Sequence, residues 1–399
     1  MSTTLQEQFQ QQLPGIAESD PKYVTELVDV MLTAAQEADA SDVHLIPSGD
    51  GLGMTWRIDG VLQPVARFPR EISANIVSRL KVLAELLTYQ TDVPQEGRIC
   101  GGDAVEMRVS TFPTLFGEKA VIRLFVGSGA FRHLDDLLLP EEMCTTLRGL
   151  LNETGGVLLI TGPAGSGKTT TCYACLRELA DKSPVAKSIA SLEDPIEALV
   201  GGVAQSQIKP AAGFDYQTGV RSLLRQDPEV IMVGEIRDRE TAELVFQASL
   251  TGHLVLTTFH AGSAAEAVGR LLEMGIEPYQ LRSGILAVIN QRLARRLCDC
   301  AVAGDAESAS LGLDVRQLRE AAGCGDCAST GYRNRIVLAE MLQPNTEATA
   351  RAILSRSDAR EIERLAVADG MISRWKRATE AVNQGRTSAA EVRRVLGFH

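Results

Sequence analysis

The apolar run Val157-Leu158-Leu159-Ile160-Thr161 leads into Gly162-Pro163-Ala164-Gly165-Ser166-Gly167-Lys168-Thr169 and then into Thr170–Ala180, and this passage constrains the chain more than any other. An apolar strand turning through a glycine-rich loop directly into a helix is the setting that a phosphate-binding P-loop requires. The glycines let backbone N–H groups curl around phosphate oxygens, and the helix start adds the positive end of its dipole. The candidate nucleotide-binding residues are therefore Gly162, Pro163, Ala164, Gly165, Ser166, Gly167, Lys168, Thr169 and Thr170. In this pattern the Lys168 ammonium reaches the β- and γ-phosphates and the Thr169 hydroxyl ligates Mg²⁺. A glycine-rich turn with no ligand is the bland alternative, and the complete motif between strand and helix disfavours it.

Downstream of residue 130 the texture repeats as helix, apolar strand, glycine loop and helix. Val230–Val233 is a second unbroken apolar run, as a parallel strand covered on both faces requires. The fold class expected is α/β: a RecA-like P-loop NTPase domain of doubly wound type, preceded by a small α+β domain with a mostly antiparallel sheet. In that first domain Asp20-Pro21 opens a helix whose apolar residues Val24, Leu27, Val28, Met31, Leu32 and Ala35 share one face. Short strands follow, with Asp59-Gly60 as a two-residue hairpin turn, and then a helix over Ile72–Leu87. Residues 1–19 read as a flexible lead-in, 20–126 as the small domain and 127–134, containing Gly127-Ser128-Gly129-Ala130, as a linker. Residues 135–399 form the P-loop domain, with a cysteine-bearing insertion at 298–327 and helices at its C-terminal end.

The net charge of −11 argues against a general affinity for nucleic acid phosphates. The Gln-rich start carries no apolar signal core, and no run of about 18 apolar residues predicts a membrane span. A cytoplasmic protein whose membrane contact goes through a partner is expected. In that compartment the eight cysteines are thiols or metal ligands rather than disulfides. Cys172 and Cys175, on the helix after the P-loop, read as small apolar groups facing the sheet.

Three further segments narrow the reading. Ser191-Leu192-Glu193-Asp194-Pro195-Ile196-Glu197 gathers carboxylates beside a proline, and Ile231-Met232-Val233-Gly234-Glu235-Ile236-Arg237-Asp238 places Glu235 at a buried strand's C-terminal end. That end is where an open α/β sheet presents its ligand groups. Thr251-Gly252-His253-Leu254 and Leu256-Thr257-Thr258-Phe259-His260-Ala261 put a histidine at each end of another strand. These resemble the aspartate box, Walker B segment and histidine box of the secretion ATPases, in their GspE/PulE/PilB branch of type II secretion and type IV pilus assembly. The likeness runs from residue 21 to the end, through Ala40-Ser41-Asp42-Val43-His44, Arg57-Ile58-Asp59-Gly60, Pro94-Gln95-Glu96-Gly97-Arg98, Arg108-Val109-Ser110-Thr111, Pro113-Thr114-Leu115-Phe116-Gly117-Glu118-Lys119 and Gln291-Arg292-Leu293.

The resemblance implies Glu193 as general base or water-orienting group, Glu235 as a Mg²⁺ partner, and His260 as a γ-phosphate sensor supported by His253. It implies that Arg108 and Arg123, and with them Arg98, contact phosphate and close over the nucleotide. Family members bind structural Zn²⁺ through two C-x-x-C pairs; here Cys324 and Cys327 keep that spacing, while Cys298 and Cys300 form a shorter C-x-C. It further implies a homohexameric ATP-hydrolysing motor with Mg²⁺, acting on an inner-membrane platform protein of a pilus or secretion machine. Only residues 1–19 precede the first helix, where such ATPases usually carry an extra N-terminal docking domain. A nucleic-acid translocating or conjugation ATPase is the first rival, disfavoured by the acidic charge and the cysteine pairs. A non-hydrolysing nucleotide-binding scaffold is the second, disfavoured by Lys168, Glu193 and Glu235.

Overall fold

The structure is a computed structural model that describes residues 5–398 apart from 14, 16, 18, 101–105, 125–132, 183–185 and 305–309. The expected linker falls mostly on residues outside that description. The chain divides into two compact units, Met1–Gly127 with Leu297–Val302 and Glu320–Asn334, and Ser128–Arg296 with Ala303–Arg319 and Arg335–His399. The cysteine-bearing segments thus group with the first unit, not with the P-loop unit in which the sequence order sets them.

In the first unit, helices α1 (Leu5–Gln12), α2 (Tyr23–Glu37) and α3 (Arg70–Leu83) accompany six strands. These are β1 (Asp42–Ser48), β2 (Gly51–Ile58), β3 (Val61–Phe68), β4 (Gln95–Cys100), β5 (Glu106–Thr114) and β6 (Gly117–Leu124). They form one sheet in the order β3-β2-β1-β6-β5-β4, every pairing antiparallel. Asp59 and Gly60 both take positive φ, 48° and 81°, the geometry that lets a two-residue turn follow the twist of its strands. Leu27, Val28, Met31 and Ala35 of α2 are buried, as their helical spacing requires.

Three boundaries differ from expectation, and one is the helix expected over Ile72–Leu87, which is α3 and stops at Leu83, where Glu85 soon takes the left-handed φ of 57° that a helix cannot continue through. Residues 5–12, read as part of a flexible lead-in, form α1. Phe9 is 1% exposed there and meets the rings of Trp56 and Phe68 edge-on, at 5.8 and 6.4 Å. Such aromatic pairs add to the large apolar area an aromatic side chain buries. The α2 helix begins at Tyr23 because Asp20 is spent on a preceding turn, its Oδ1 accepting the Lys22 N–H at 2.8 Å.

The second unit contains α4 (Glu141–Leu150), β7 (Gly156–Thr161), α5 (Lys168–Lys182), β8 (Ile189–Glu193), β9 (Val203–Gln207), α6 (Tyr216–Leu223) and β10 (Val230–Val233). There follow α7 (Arg239–Leu250), β11 (Leu254–Phe259), α8 (Ala264–Glu273), α9 (Pro278–Gly284) and β12 (Ile285–Leu297). A small ribbon, β13 (Val302–Ala303) with β14 (Arg319–Glu320), precedes β15 (Tyr332–Leu342). Helices α10 (Glu347–Leu354), α11 (Ala359–Ala368), α12 (Arg374–Asn383) and α13 (Ala389–Leu396) end the chain.

The main sheet runs β15-β12-β7-β11-β10-β8-β9, and β12, β7, β11, β10, β8 and β9 are mutually parallel. Alternation explains the unbroken apolar strands: Val157 and Leu159 enter one core, and Leu158 and Ile160 the core on the opposite face. The doubly wound α/β expectation is met. Thr346, Asp358, Ser373 and Ser388 each cap one of the four last helices by accepting a backbone N–H.

Candidate functional site

The P-loop lies between β7 and α5, and its neighbours follow from the strand order. Because β11 and β12 flank β7, Thr161 pairs with Phe259 on one side and Asn290 on the other. Gly162 and His260, which open the loops leaving β7 and β11, therefore lie beside Gln291, where β12 continues past the C-terminal edge of its neighbours, the edge at which ligands bind. Next comes β10, which delivers Glu235, and then β8, which ends at Glu193.

Lys168 is buried at the loop, and its ammonium donates to the Gly162 and Pro163 carbonyls at 3.0 and 2.9 Å. Desolvation lowers its pKa, and the nearby Glu235 carboxylate opposes that shift. His260 Nε2 lies 3.9 Å from Glu235 Oε2. Its pKa is lowered as well, by burial first and the Lys168 charge next. Arg237 hydrogen-bonds Glu235 and lies 3.5 Å from Asp194. Two cations, Lys168 and Arg237, and one histidine thus gather around the Glu235 carboxylate beside the phosphate loop.

Glu193 has a different setting from a solvent-facing base. It is 2% exposed, and its carboxylate accepts hydrogen bonds from Tyr173, from Ser191 Oγ at 2.6 Å and from Gln205 Nε2 at 3.0 Å. Burial and that carboxylate together raise the Tyr173 pKa, so the phenol stays a donor. The same hydroxyl accepts the backbone N–H of Glu197 at 3.0 Å, and the Glu197 side chain is exposed. The sequence offers these two acids four residues apart with nothing local to separate them.

His253 does not join His260. It sits at the start of β11, and its Nδ1 lies 3.0 Å from the Ala248 carbonyl and 3.2 Å from Thr251 Oγ1. It therefore fastens the C-terminal end of α7, a whole strand away from the phosphate loop.

The first unit carries its arginines in register. Arg57 pairs with Asp42, Asp42 with Arg123, Arg123 with Arg108 and Arg108 with Arg98, so the five lie in one row across five strands. Directly paired residues share a face of the sheet. Asp42 holds two of them, lying 3.1 Å from Arg123 Nε and 3.5 Å from Arg57 Nε. Arg123, Arg108 and Arg98 thus follow one another on adjacent strands and concentrate positive charge along one line of the sheet.

The cysteine cluster passes a geometric test for zinc. The Sγ atoms of Cys298 and Cys324 lie 3.8 Å apart, those of Cys300 and Cys327 3.9 Å, and those of Cys324 and Cys327 3.8 Å. All four fall within 4.8 Å of one another. A tetrahedron with Zn–S bonds of about 2.3 Å has edges of about 3.8 Å. Burial would raise the Cys327 thiol, but backbone N–H groups of Cys324 and Gly331 aimed at its sulfur bring it down to about 7. The shortened C-x-C pair still reaches the cluster. Cys172 and Cys175 are fully buried, and burial pushes both thiols up, Cys175 to about 12, as inert apolar groups behave.

Among the described residues no helix is long and apolar enough to cross a membrane. Residues 17–394 match the family described as Type II/IV secretion system protein. Over 335 residues the chain is 43% identical to type II secretion system protein E of Pseudomonas aeruginosa, covering 82% of this chain and 66% of that protein. It is 35% identical to the type IV pilus assembly ATPase PilB of Thermus thermophilus, covering 96% of this chain and 44% of that protein. The chain thus spans less than two thirds of the length of these two relatives. In fold it is similar to the ATPase DotB of Yersinia pseudotuberculosis, with a TM-score of 0.70 at 21% identity over 96% of this chain and 95% of the other. On a match that runs over most of its length, this chain belongs to the Type II/IV secretion system protein family.

Proposed function

We propose that the chain is an ATP-hydrolysing motor that, as a homohexamer with Mg²⁺, drives assembly of a type IV pilus or type II secretion pseudopilus. The observation that carries this is the convergence of Lys168, His260 and Glu235 on neighbouring strand ends beside a complete P-loop. Phosphoryl transfer needs charge neutralisation at the γ-phosphate, a held Mg²⁺ and one group to orient water. Lys168 answers the first need, and Thr169 with Glu235 the second. For the third, the burial of Glu193 and the three hydrogen bonds on its carboxylate favour the exposed Glu197, with Glu193 as the anchor that sets Tyr173 and so the Glu197 backbone. A cavity lined by Leu137, Leu138, Thr170, Thr171, Leu293 and Val337 adjoins Gly167 and suits the apolar faces of a base. A phosphate-release assay tests the reading, and a protein that binds ATP without turnover would mark it as a regulatory scaffold. DNA-stimulated turnover would instead favour the translocase.

The arginine row supports a role for Arg108 and Arg123 in closing over the nucleotide. Arg108→Ala and Arg123→Ala are expected to lower kcat roughly tenfold or more while weakening ATP binding less, since contacts made only on closure act on the transition state. Steady-state kinetics alongside equilibrium binding checks the split, and equal losses in both would remove the closing role. The platform partner, and contact with the inner membrane through it, rest on the relatives' roles and on the absence of a spanning helix among the described residues.

The four cysteines would hold a structural Zn²⁺, which supplies cross-links rather than chemistry. Elemental analysis of reduced, freshly purified protein is expected to find about one zinc per chain. Chelation should loosen the 298–327 region in hydrogen exchange while ATP still binds. Metal-free protein with the same exchange pattern would rule the site out.

A further inference from the structure

The segment Asn290-Gln291-Arg292 lies where β12 passes the phosphate loop, and the roles assigned above leave it unused. Alternation on the strand sends Asn290 and Arg292 to one face and Gln291 to the other. Gln291 ties the P-loop to the helix behind it: its Nε2 donates to the Ser166 carbonyl of the loop at 2.8 Å, and its Oε1 accepts from Thr171 Oγ1 in the first turn of α5 at 3.1 Å. The loop backbone also comes very close to it. A Cβ on Gly162 would sit 2.5 Å from the Gln291 carbonyl oxygen, and one on Gly167 3.1 Å from Gln291 Nε2. Both glycines have positive φ as well; Gly162 meets the Gln291 main chain and, equally closely, Ser166 Oγ, so Gly167 is the one crowded by the Gln291 side chain itself.

On the other face, Asn290 Nδ2 bridges Thr161 Oγ1 at 2.9 Å and the Ala261 carbonyl at 3.1 Å. Arg292 Nη2 donates to the Gly262 carbonyl at 2.8 Å, and its Nη1 to Asn290 Oδ1 at 3.3 Å. Ala261 and Gly262 directly follow His260. Arg292 is half-buried, and burial, followed by the charge of Arg374, lowers its pKa, with Glu340 and Glu266 opposing. Glu340 in turn accepts the Ala264 N–H at 2.9 Å and pairs with Arg374 at 3.0 Å. Both ends of the His260–Ala264 loop are therefore held by buried polar groups from β12 and β15.

We propose that Gln291 and Arg292 are positioning residues with separate duties: Gln291 sets the phosphate loop for ATP binding, and Arg292, with Asn290, sets the histidine loop for turnover. The inference rests on the reading of this site as an ATPase. Neither side chain is assigned a contact with the reacting atoms. Each shapes a loop whose backbone or histidine makes one.

Gln291→Met keeps the side chain's length and removes both hydrogen bonds; it should raise the ATP Kd roughly tenfold and leave kcat within about threefold. Arg292→Met should lower kcat roughly tenfold at the parental Kd, and Arg292→Lys, which keeps the charge and can donate but lacks the fork that spans both acceptors, should recover part of that loss. Fluorescent-nucleotide binding and phosphate release read the two effects apart, and thermal melting confirms that the variants are folded. Thr171→Val removes the facing hydroxyl and should reproduce part of the Gln291→Met shift without adding to it in the double variant. This arm keeps the test decisive should Gln291→Met fold poorly. Parental Kd in the Gln291 and Thr171 variants, or equal loss of Kd and kcat in all of them, overturns the division of duties. An inactive parent that binds ATP would instead sink the ATPase reading, and the Kd comparison would still judge Gln291.

Discussion

Glu197→Gln is expected to bind ATP as the parent does and to hydrolyse it on the order of 100-fold more slowly, the loss typical of removing a group that orients or deprotonates the attacking water. The exposed Glu197 carboxylate can meet water, whereas Glu193 lies buried with three donors on its oxygens. Glu193→Gln should also slow turnover, because an amide cannot accept from every donor around it, and the Tyr173 hydroxyl it fixes also carries the Glu197 backbone. Tyr173→Phe separates the two roles. If Glu197 is the water-orienting group, losing the hydroxyl that holds its backbone lowers kcat. If Glu193 is the base, the same change releases a restrained carboxylate and kcat holds or rises. Single-turnover phosphate release with the three variants decides the matter, and near-parental hydrolysis by Glu197→Gln would return the role to Glu193.

Lys168→Ala should fail earlier in the cycle. A charge-assisted contact to phosphate contributes about 1.5–3 kcal/mol, so its loss should weaken ATP binding by roughly 10- to 100-fold and remove measurable turnover. The ammonium now donates to the Gly162 and Pro163 carbonyls. Those carbonyls are acceptors and cannot replace it toward an anion. Calorimetric titration distinguishes this variant from Glu197→Gln, since one loses affinity and the other keeps it. An unchanged Kd for Lys168→Ala would place the phosphates elsewhere.

The features legible in the sequence were those whose cause is local. The P-loop is read from spacing because its glycines, lysine and threonine act within one turn of chain, and the alternating burial of β7 accounts for its unbroken apolar run. The hairpin at Asp59-Gly60 is likewise a matter of two φ angles. Helix α1 was legible in principle, since Leu5, Phe9 and Leu13 recur at helical spacing and all pack on the first core. Its glutamines hid that stripe.

The sequence by itself determined the chain's class, its phosphate loop and the cast of charged residues around it. Only the tertiary structure decided which acid is buried, which histidine reaches the site and that the arginines of four strands form one row. Those outcomes depend on strand register and on which donors converge from distant segments. Tyr173 on α5 and Gln205 on β9 close around Glu193, joining Ser191 of its own strand. A buried carboxylate needs such partners to offset its lost hydration. His253 and His260 flank one strand at equal distance in sequence, yet the parallel sheet presents only its C-terminal end to the phosphate loop.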